Sequence, residues 1–213
     1  MWVMSDVPFD QKPDKQRRGP PLLSCYDSLE DSCAYAWLML SRGVKDARAP
    51  FHTPTVATVD AHGQPHMRTI VLRACDPEAR RLRFHTDTRS SKVAQLAQNP
   101  NAAMHFYDAQ AKIQLRLTVR LQPLSGDELE AAWAATRPMS RECYQVTQGP
   151  GTALQAPHDV TFDAAATDDG RDFFVPIGAD IQAIEWLYLA AKGHRRALFD
   201  FQNGGTKLQW LVP

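Results

Sequence analysis

The order of apolar and polar positions divides the chain into many short strands and a few helices. The clearest strand lies over residues 111–122, where Ile113, Leu115, Leu117, Val119 and Leu121 alternate with Gln114, Arg116, Thr118, Arg120 and Gln122. A period of two with one apolar face marks a strand half sunk in a core. Residues 81–86 alternate in the same way, with Leu82, Phe84 and Thr86 opposite Arg81, Arg83 and His85. Residues 55–60 and 64–74 read as a hairpin about Ala61-His62-Gly63, and residues 101–107 as a further strand. Residues 173–177 and 183–191 resume the sheet, and 195–201 and 208–212 form a last hairpin about Asn203-Gly204-Gly205-Thr206.

Helical spacing appears between these strands. Leu29, Cys33, Ala36, Trp37 and Leu40 share one side of a helix that Asp27 or Ser28 caps and Gly43 ends. Val93, Leu96 and Ala97 recur in a second, which starts at Ser90 or Ser91 and stops at Asn99-Pro100. Ser125-Gly126-Asp127-Glu128 reads as a capping box for a third, with Leu129, Ala132, Trp133 and Thr136 inward. Arg137-Pro138 breaks that helix, and a short one follows over 140–147. Successive antiparallel strands with few helices between them predict a mainly β chain with helices (α+β) whose sheet closes into a barrel. Residues 1–24, polar and dotted with proline, read as a flexible N-terminal arm, and 25–213 as a single domain in which 149–170 is a long loop.

Composition narrows the function. Among 213 residues Lys+Arg and Asp+Glu are equal at 24 each, so the net charge is zero. That argues against a nucleic-acid or anionic-membrane binder, whose affinity rests on excess basic charge. Cys25, Cys33, Cys75 and Cys143 contain no C-x-x-C pair and read as free thiols in a reducing compartment. No apolar run approaches membrane-spanning length and no signal peptide opens the chain, so a cytoplasmic location is expected. No metal site is expected: the chain lacks H-E-x-x-H, and His62 and His66 straddle a turn. It also lacks G-x-S-x-G, G-x-G-x-x-G and a Walker loop.

Candidate chemistry gathers between His66 and Pro100. The first turn of the helix after Arg89-Ser90-Ser91-Lys92 offers free backbone N–H groups, serine hydroxyls and a lysine, which together suit an anion. Arg68 would join them if its strand lies beside the helix start. Strict alternation puts Arg68 and Arg73, five apart, on opposite faces, so both can serve one ligand only if the strand bulges or the ligand crosses its end.

Arg68-Thr69-Ile70-Val71-Leu72-Arg73, then His85-Thr86, then Ser90-Ser91-Lys92 resemble the FMN-binding segments of pyridoxamine 5′-phosphate oxidase and its relatives. The likeness continues at Gln114 and near the C-terminus and covers about residues 50–213. It implies an FMN-binding split β-barrel of antiparallel Greek-key type, FMN as cofactor, and a homodimer with the cofactor at the subunit interface. Carried over by position, Arg68, Ser91 and Lys92 would take the phosphate. Arg73 would reach the ribityl chain or ring from a place that is commonly lysine in the family. Gln114, Gln148, Trp186 and Arg196 would also contact FMN, with Trp186 and Arg196, ten residues apart, reaching the flavin of the other subunit. Gln148 is followed by Gly149 where the family has a Gln-Ser pair.

The oxidase's substrate positions correspond to Trp133, Arg137, Arg141, Lys192 and His194. Arg137 and His194 match. Trp133 stands for a tyrosine, Arg141 for a small hydroxyl residue, and Lys192 for a forked guanidinium. The chain therefore resembles the oxidase-related branch rather than the oxidase itself. The expected function is that of an FMN-binding oxidoreductase moving hydride through flavin N5, with an unidentified small-molecule substrate that is anionic or polar. The alternative is a non-catalytic flavin- or small-ligand-binding module, and a third reading puts a deazaflavin in the same barrel. Read without the resemblance, these arginines are solvated strand-edge residues, Gln114 is an ordinary exposed strand position, and Trp186 is a core aromatic.

Overall fold

Nine strands and four α-helices make up the described part of the computed structural model, which covers residues 23–162, 170–202 and 204–213. Most of the expected arm, residues 163–169 of the expected loop, and Asn203 of the last turn lie outside the described residues. The strands are β1 (Thr55–Val59), β2 (Pro65–Thr69), β3 (Leu72–Asp76), β4 (Arg81–Asp87), β5 (Asn101–Asp108), β6 (Ile113–Pro123), β7 (Phe174–Tyr188), β8 (Arg195–Asp200) and β9 (Lys207–Leu211). The helices are α1 (Leu29–Lys45), α2 (Ser91–Gln98), α3 (Asp127–Ala134) and α4 (Pro138–Arg141).

All pairings are antiparallel, in the order β2-β1-β5-β6-β7-β4-β3, with β8 on β7 and β9 on β8. The expected closed barrel is not formed, because β2 and β3 end the path at opposite edges. The sheet splits along β7 instead. One side of β7 pairs with β6, while its other side pairs with β4 over Phe174–Asp180 and with β8 from Ala183 to Tyr188. Arg80 sits at the fork in a left-handed conformation, φ 53. Its carbonyl accepts the Ile181 N–H at 2.8 Å, and its guanidinium donates to the carbonyls of Phe201 and Gly205, each at 3.0 Å. This fixes β4 on one branch and the end of β8 on the other. The two strands expected over 173–177 and 183–191 are accordingly one continuous strand, β7.

The alternation of β6 turns Ile113, Leu115, Leu117, Val119 and Leu121 inward, each 2% exposed or less. They meet Phe84, Phe106, Ile177, Trp186 and Phe199 in one core. A smaller cluster of Ala132, Tyr144 and Phe174, with Trp133 against it, ties α3 and the segment after α4 to the start of β7.

Ser28 caps α1, accepting the Asp31 N–H at 3.1 Å. Gly43 does not end this helix, which runs on to Lys45. The glycine serves packing: a Cβ there would lie 2.7 Å from the backbone of Phe51 in the 3-10 turn Pro50–His52. Gly43→Ala is expected to cost about 1–3 kcal/mol through overpacking, read as a lower urea midpoint with an unchanged slope. The expected capping box at Ser125 is not made either. Gly126 is the N-cap of α3, with φ 58 and no side-chain cap bond. The helix expected over 140–147 begins earlier, as α4, and continues as a 3-10 turn over Glu142–Tyr144. Pro138 at its first turn favours that earlier start. In the expected long loop, a 3-10 turn over Pro157–Asp159 and a bridge between Val146 and Phe162 give the described residues local order.

Candidate functional site

The stretch expected as one strand over 64–74 breaks at Ile70–Val71. The N-terminal half pairs with β1 and the C-terminal half with β4, while the Ile70 N–H donates to the Pro54 carbonyl at 2.9 Å. The β3–β4 register also shifts between Leu72 and Ala74, so Arg73 is the extra residue of a bulge. This resolves the parity problem. Arg68 and Arg73 both border one cleft of about 450 Å³. Thr69, Ile70, Val71, His85, Thr86 and Lys92 line it too, and Thr136, Met139, Ser140, Cys143 and Tyr144 form its far wall. Leu72 is fully buried and turns to the core, and it borders an adjoining cavity.

One end of this cleft brings two cations together. Lys92, in the first turn of α2, donates to the Thr86 hydroxyl at 2.7 Å. The Arg68 guanidinium is held by the Thr58 hydroxyl, by Gln95 Oε1 at 3.2 Å and by the His66 carbonyl at 3.0 Å. Thr58 and Gln95 are themselves buried and joined at 2.6 Å, so the arginine is aimed by a rigid support. Burial lowers the pKa of Arg68. Burial lowers that of Lys92 too, with the Arg68 charge adding to the effect and Asp87 opposing it. Two half-buried cations, one of which the other's charge depresses, favour an anion beside them. Ser90, the N-cap of α2, makes no side-chain cap bond, and its hydroxyl lies 3.3 Å from that of Thr86. The uncapped first turn adds to the attraction for an anion. Ser91 is the exposed first residue of that turn. Arg89 is not part of this group: it pairs with Asp87 at 2.7 Å and stacks on Phe173.

At the other end, His85 lies edge-on to Phe174 with ring centroids 4.8 Å apart, and its Nε2 is buried without a hydrogen-bond partner. Burial, then the charges of Arg83 and Arg73, pull its pKa down to about 4. In the unfolded chain the same group titrates near 6.5. Between these values the unfolded state binds a proton that the folded state refuses. The stability carried by His85 is complete above about 6.5 and is lost as pH falls towards about 4, amounting to about 1–3 kcal/mol. His85→Gln is expected to flatten that acid limb in urea unfolding of the cofactor-free protein.

The remaining candidates fall elsewhere. Cross-strand register sets Gln114, Leu187 and Arg196 side by side on the outer face of β6, β7 and β8. Gln114 meets His105 at 3.1 Å, and Arg196 pairs with Glu185 at 3.0 Å beside Arg116. Trp186 is one position out of phase with this row. It is wholly buried in the core, with its ring 6.0 Å from that of Tyr188. Gln148 is bound into its own loop by the Asp159 carbonyl and the Thr161 N–H. Gly149 leaves room for Arg89, whose Cβ would lie 3.2 Å from an added Cβ. The Arg141 guanidinium stacks 4.3 Å over Trp133 and donates to the carbonyls of Trp133 and Thr136, which closes the end of α3. Arg137 caps α4 and borders the adjoining cavity. Lys192 and His194 are exposed on the β7–β8 turn. Neither they nor Gln114, Gln148, Trp186 or Arg196 line the cleft. Sequence reasoning missed the Thr58–Gln95 support of Arg68 and the wall from Thr136 to Tyr144. The alternation of β4 did place Arg83 beside His85.

Residues 35–124, which include Arg68 and Lys92 of the cleft, match the family model described as pyridoxamine 5′-phosphate oxidase, FMN-binding domain. A pyridoxine/pyridoxamine 5′-phosphate oxidase of Cupriavidus necator is 42% identical over 85 residues, covering 40% of this chain and 39% of that one. The chain thus spans well under half the length of this relative. The same-named protein of Pseudomonas putida is 29% identical over 185 residues, covering 80% of this chain and 83% of its own. Among solved structures, a pyridoxamine 5′-phosphate oxidase-related, FMN-binding protein of Nostoc punctiforme superposes with a TM-score of 0.70 at 22% identity, over 91% of this chain and 100% of that one. PhzG of Burkholderia lata, solved with tetrahydrophenazine-1-carboxylic acid, gives 0.69 at 19% identity, over 91% and 98%. The shared split-barrel fold, the matched domain and the ordered residues around the cleft agree: residues 35–124 are similar to the pyridoxamine 5′-phosphate oxidase FMN-binding domain, on a fold shared with oxidase-related FMN-binding proteins.

Proposed function

We propose that this protein is an FMN-dependent oxidoreductase of the oxidase-related branch, acting as a homodimer on a small anionic or polar substrate. The observation that carries the reading is the convergence of Arg68 and Lys92, both half-buried and neither paired with a carboxylate among the described residues, at the uncapped start of α2. This end fits a terminal phosphate, and nothing in the sequence resembles an adenine-binding fingerprint. FMN, when bound, supplies hydride transfer at N5 of its ring.

The chain's own residues position and shield. Arg68, Lys92 and the first turn of α2 bind the phosphate. Arg73, raised by its bulge, orients the far end of the cofactor. Tyr144, buried against Phe174, closes the far wall of the cleft. His85, neutral at physiological pH, presents a ring without charge. Gln114 and Arg196, on the outer sheet face, reach the cleft of a second copy, and light scattering of the loaded protein is expected to give a dimer mass. Lys192 and His194 would come from the same second copy.

One observation favours the binding-module reading. Trp133 and Arg141 satisfy each other and the end of α3 instead of offering groups to a substrate. The same observation supports weak or absent turnover of pyridoxine 5′-phosphate, since a site built on lost polar groups discriminates strongly. Anaerobic mixing of the loaded protein with reducing substrates separates the two readings. Flavin bands that bleach and return with oxygen support the enzyme, and bands that persist against every candidate support the module. A kcat/KM for pyridoxine phosphate of roughly 10⁴ M⁻¹s⁻¹ or above would make this the oxidase itself.

A further inference from the structure

Behind the cleft wall that carries Lys92 lies a charge opposite to those of Lys92 and Arg68. Asp87 is 6% exposed and is the only buried carboxylate among the described residues. It ends β4, directly after Thr86, whose hydroxyl receives Lys92. Its carboxylate builds the turn into α2: Oδ1 accepts the Arg89 N–H at 2.7 Å, and the Asp87 carbonyl accepts the Ser90 N–H at 3.1 Å. The charge reaches groups that line the cleft. Burial and then Arg68 lower the pKa of Lys92, and Asp87 opposes them. Burial raises the Cys143 thiol and the Tyr144 phenol, and Asp87 adds to both. Left alone, this carboxylate would compete for Lys92 and repel an anion through a wall of low dielectric.

Arg89 prevents that. Its Nε and Nη2 donate to the two carboxylate oxygens of Asp87, at 3.0 and 2.7 Å. Its remaining nitrogen donates to the Thr147 carbonyl at 3.1 Å, and the guanidinium lies 3.5 Å from the centroid of the Phe173 ring. The Thr88 N–H donates to the Phe173 carbonyl at 2.8 Å, so the ring and the turn are fixed to one another. All three guanidinium nitrogens are thus engaged on the side away from the cleft, which Arg89 does not line. Gly149 lets the segment after Thr147 close over the pair, since an added Cβ would lie 3.2 Å from the Arg89 Cβ.

We infer that Arg89 is a positioning residue for anion binding in the cleft: it holds the Asp87 carboxylate behind the wall, so that Arg68 and Lys92 meet the phosphate of FMN with their charge uncancelled. The inference rests on the flavin reading for the identity of the anion, and deepens it by adding a residue that governs affinity without touching the ligand.

The test compares FMN with riboflavin, which carries the same ring and no phosphate, in fluorescence titrations of the cofactor-free protein at neutral pH. Arg89→Gln is expected to weaken FMN about tenfold or more while riboflavin affinity stays within about twofold. Adding Asp87→Asn is expected to return FMN affinity to the parent's, because the charge that needed a partner is gone. Equal losses for FMN and riboflavin in Arg89→Gln would show a merely structural role and overturn the inference. FMN affinity unchanged in Arg89→Gln, or not restored in the double variant, would overturn it too. Breaking a buried pair is costly to stability. If Arg89→Gln alone fails to fold, the double variant, which leaves no lone buried charge, decides: FMN bound as in the parent supports the inference, and a tenfold loss overturns it. Failure of the flavin reading shows separately, as a parent protein that takes up neither flavin. NMR titration of Lys92 in the cofactor-free protein then carries the test. Its pKa is expected to rise in Arg89→Gln and to fall back in the double variant, and no movement overturns the inference.

Discussion

Lys92→Ala and Arg68→Ala are each expected to weaken FMN binding by roughly 10- to 150-fold, the equivalent of losing one charge-assisted hydrogen bond of about 1.5–3 kcal/mol. The two variants differ in what else they disturb. Removing Arg68 takes a donor from Gln95 and Thr58, which are buried and then face each other alone. Its effect extends to stability. Removing Lys92 relieves a charge that burial and Arg68 already disfavour, so the cofactor-free Lys92→Ala protein is expected to unfold no earlier than the parent. The lowered pKa of Lys92 also sets a pH dependence. A bound phosphate raises that pKa, so affinity is complete below the cofactor-free value and falls as pH rises through it, starting below the ordinary lysine range. Lys92→Ala is expected to abolish this alkaline fall. Equal FMN affinity in both variants and the parent would place the phosphate elsewhere.

Trp186→Ala is expected to be the most damaging single change to stability, at about 3–5 kcal/mol. The side chain is wholly buried among Tyr188 and the β6 leucines, and truncation leaves a void that a sheet on both flanks cannot collapse to fill. Trp186→Phe is expected to cost far less, because the indole Nε1 has no hydrogen-bond partner to lose. Chemical denaturation measures both. Leu187→Ala, on the outer face beside Arg196, is the contrasting variant, expected to change stability little and FMN affinity more. A Trp186→Phe variant that folds normally yet loses FMN would return the cofactor role to the tryptophan.

These outcomes turn on how far a linear pattern carries three-dimensional information. The alternation over 111–122 was legible because a half-buried strand needs only its own period of two, and the core took every residue that the period assigned to it. The helix start at Ser90, Ser91 and Lys92 was legible because these residues are contiguous and a helix start gathers its own donors. The break at Ile70–Val71 was not legible. It depends on the Pro54 carbonyl and on two different partner strands, all distant in sequence. The parity of Arg68 and Arg73 only signalled that something had to interrupt the strand.

Near the C-terminus the limit was register. A spacing of ten picks out Trp186 and Arg196, but pairing across β7 and β8 puts Leu187 opposite Arg196 and turns Trp186 inward. Arg141 looked like a substrate residue because its neighbours matched. Its stacking on Trp133 follows from the turn after α3, which sequence spacing does not encode. Gly43 looked like a helix end, and only the close approach of Phe51 explains the glycine inside α1.

Titration of the cofactor-free protein with FMN and with FAD, followed by flavin fluorescence quenching, tests most directly whether the cleft beside Arg68 and Lys92 holds FMN. One FMN per chain is expected, with weak or no uptake of FAD, and loss of FMN binding in the Arg68→Ala, Lys92→Ala double variant. A protein that stays colourless and leaves added FMN fluorescence unquenched would contradict this expectation.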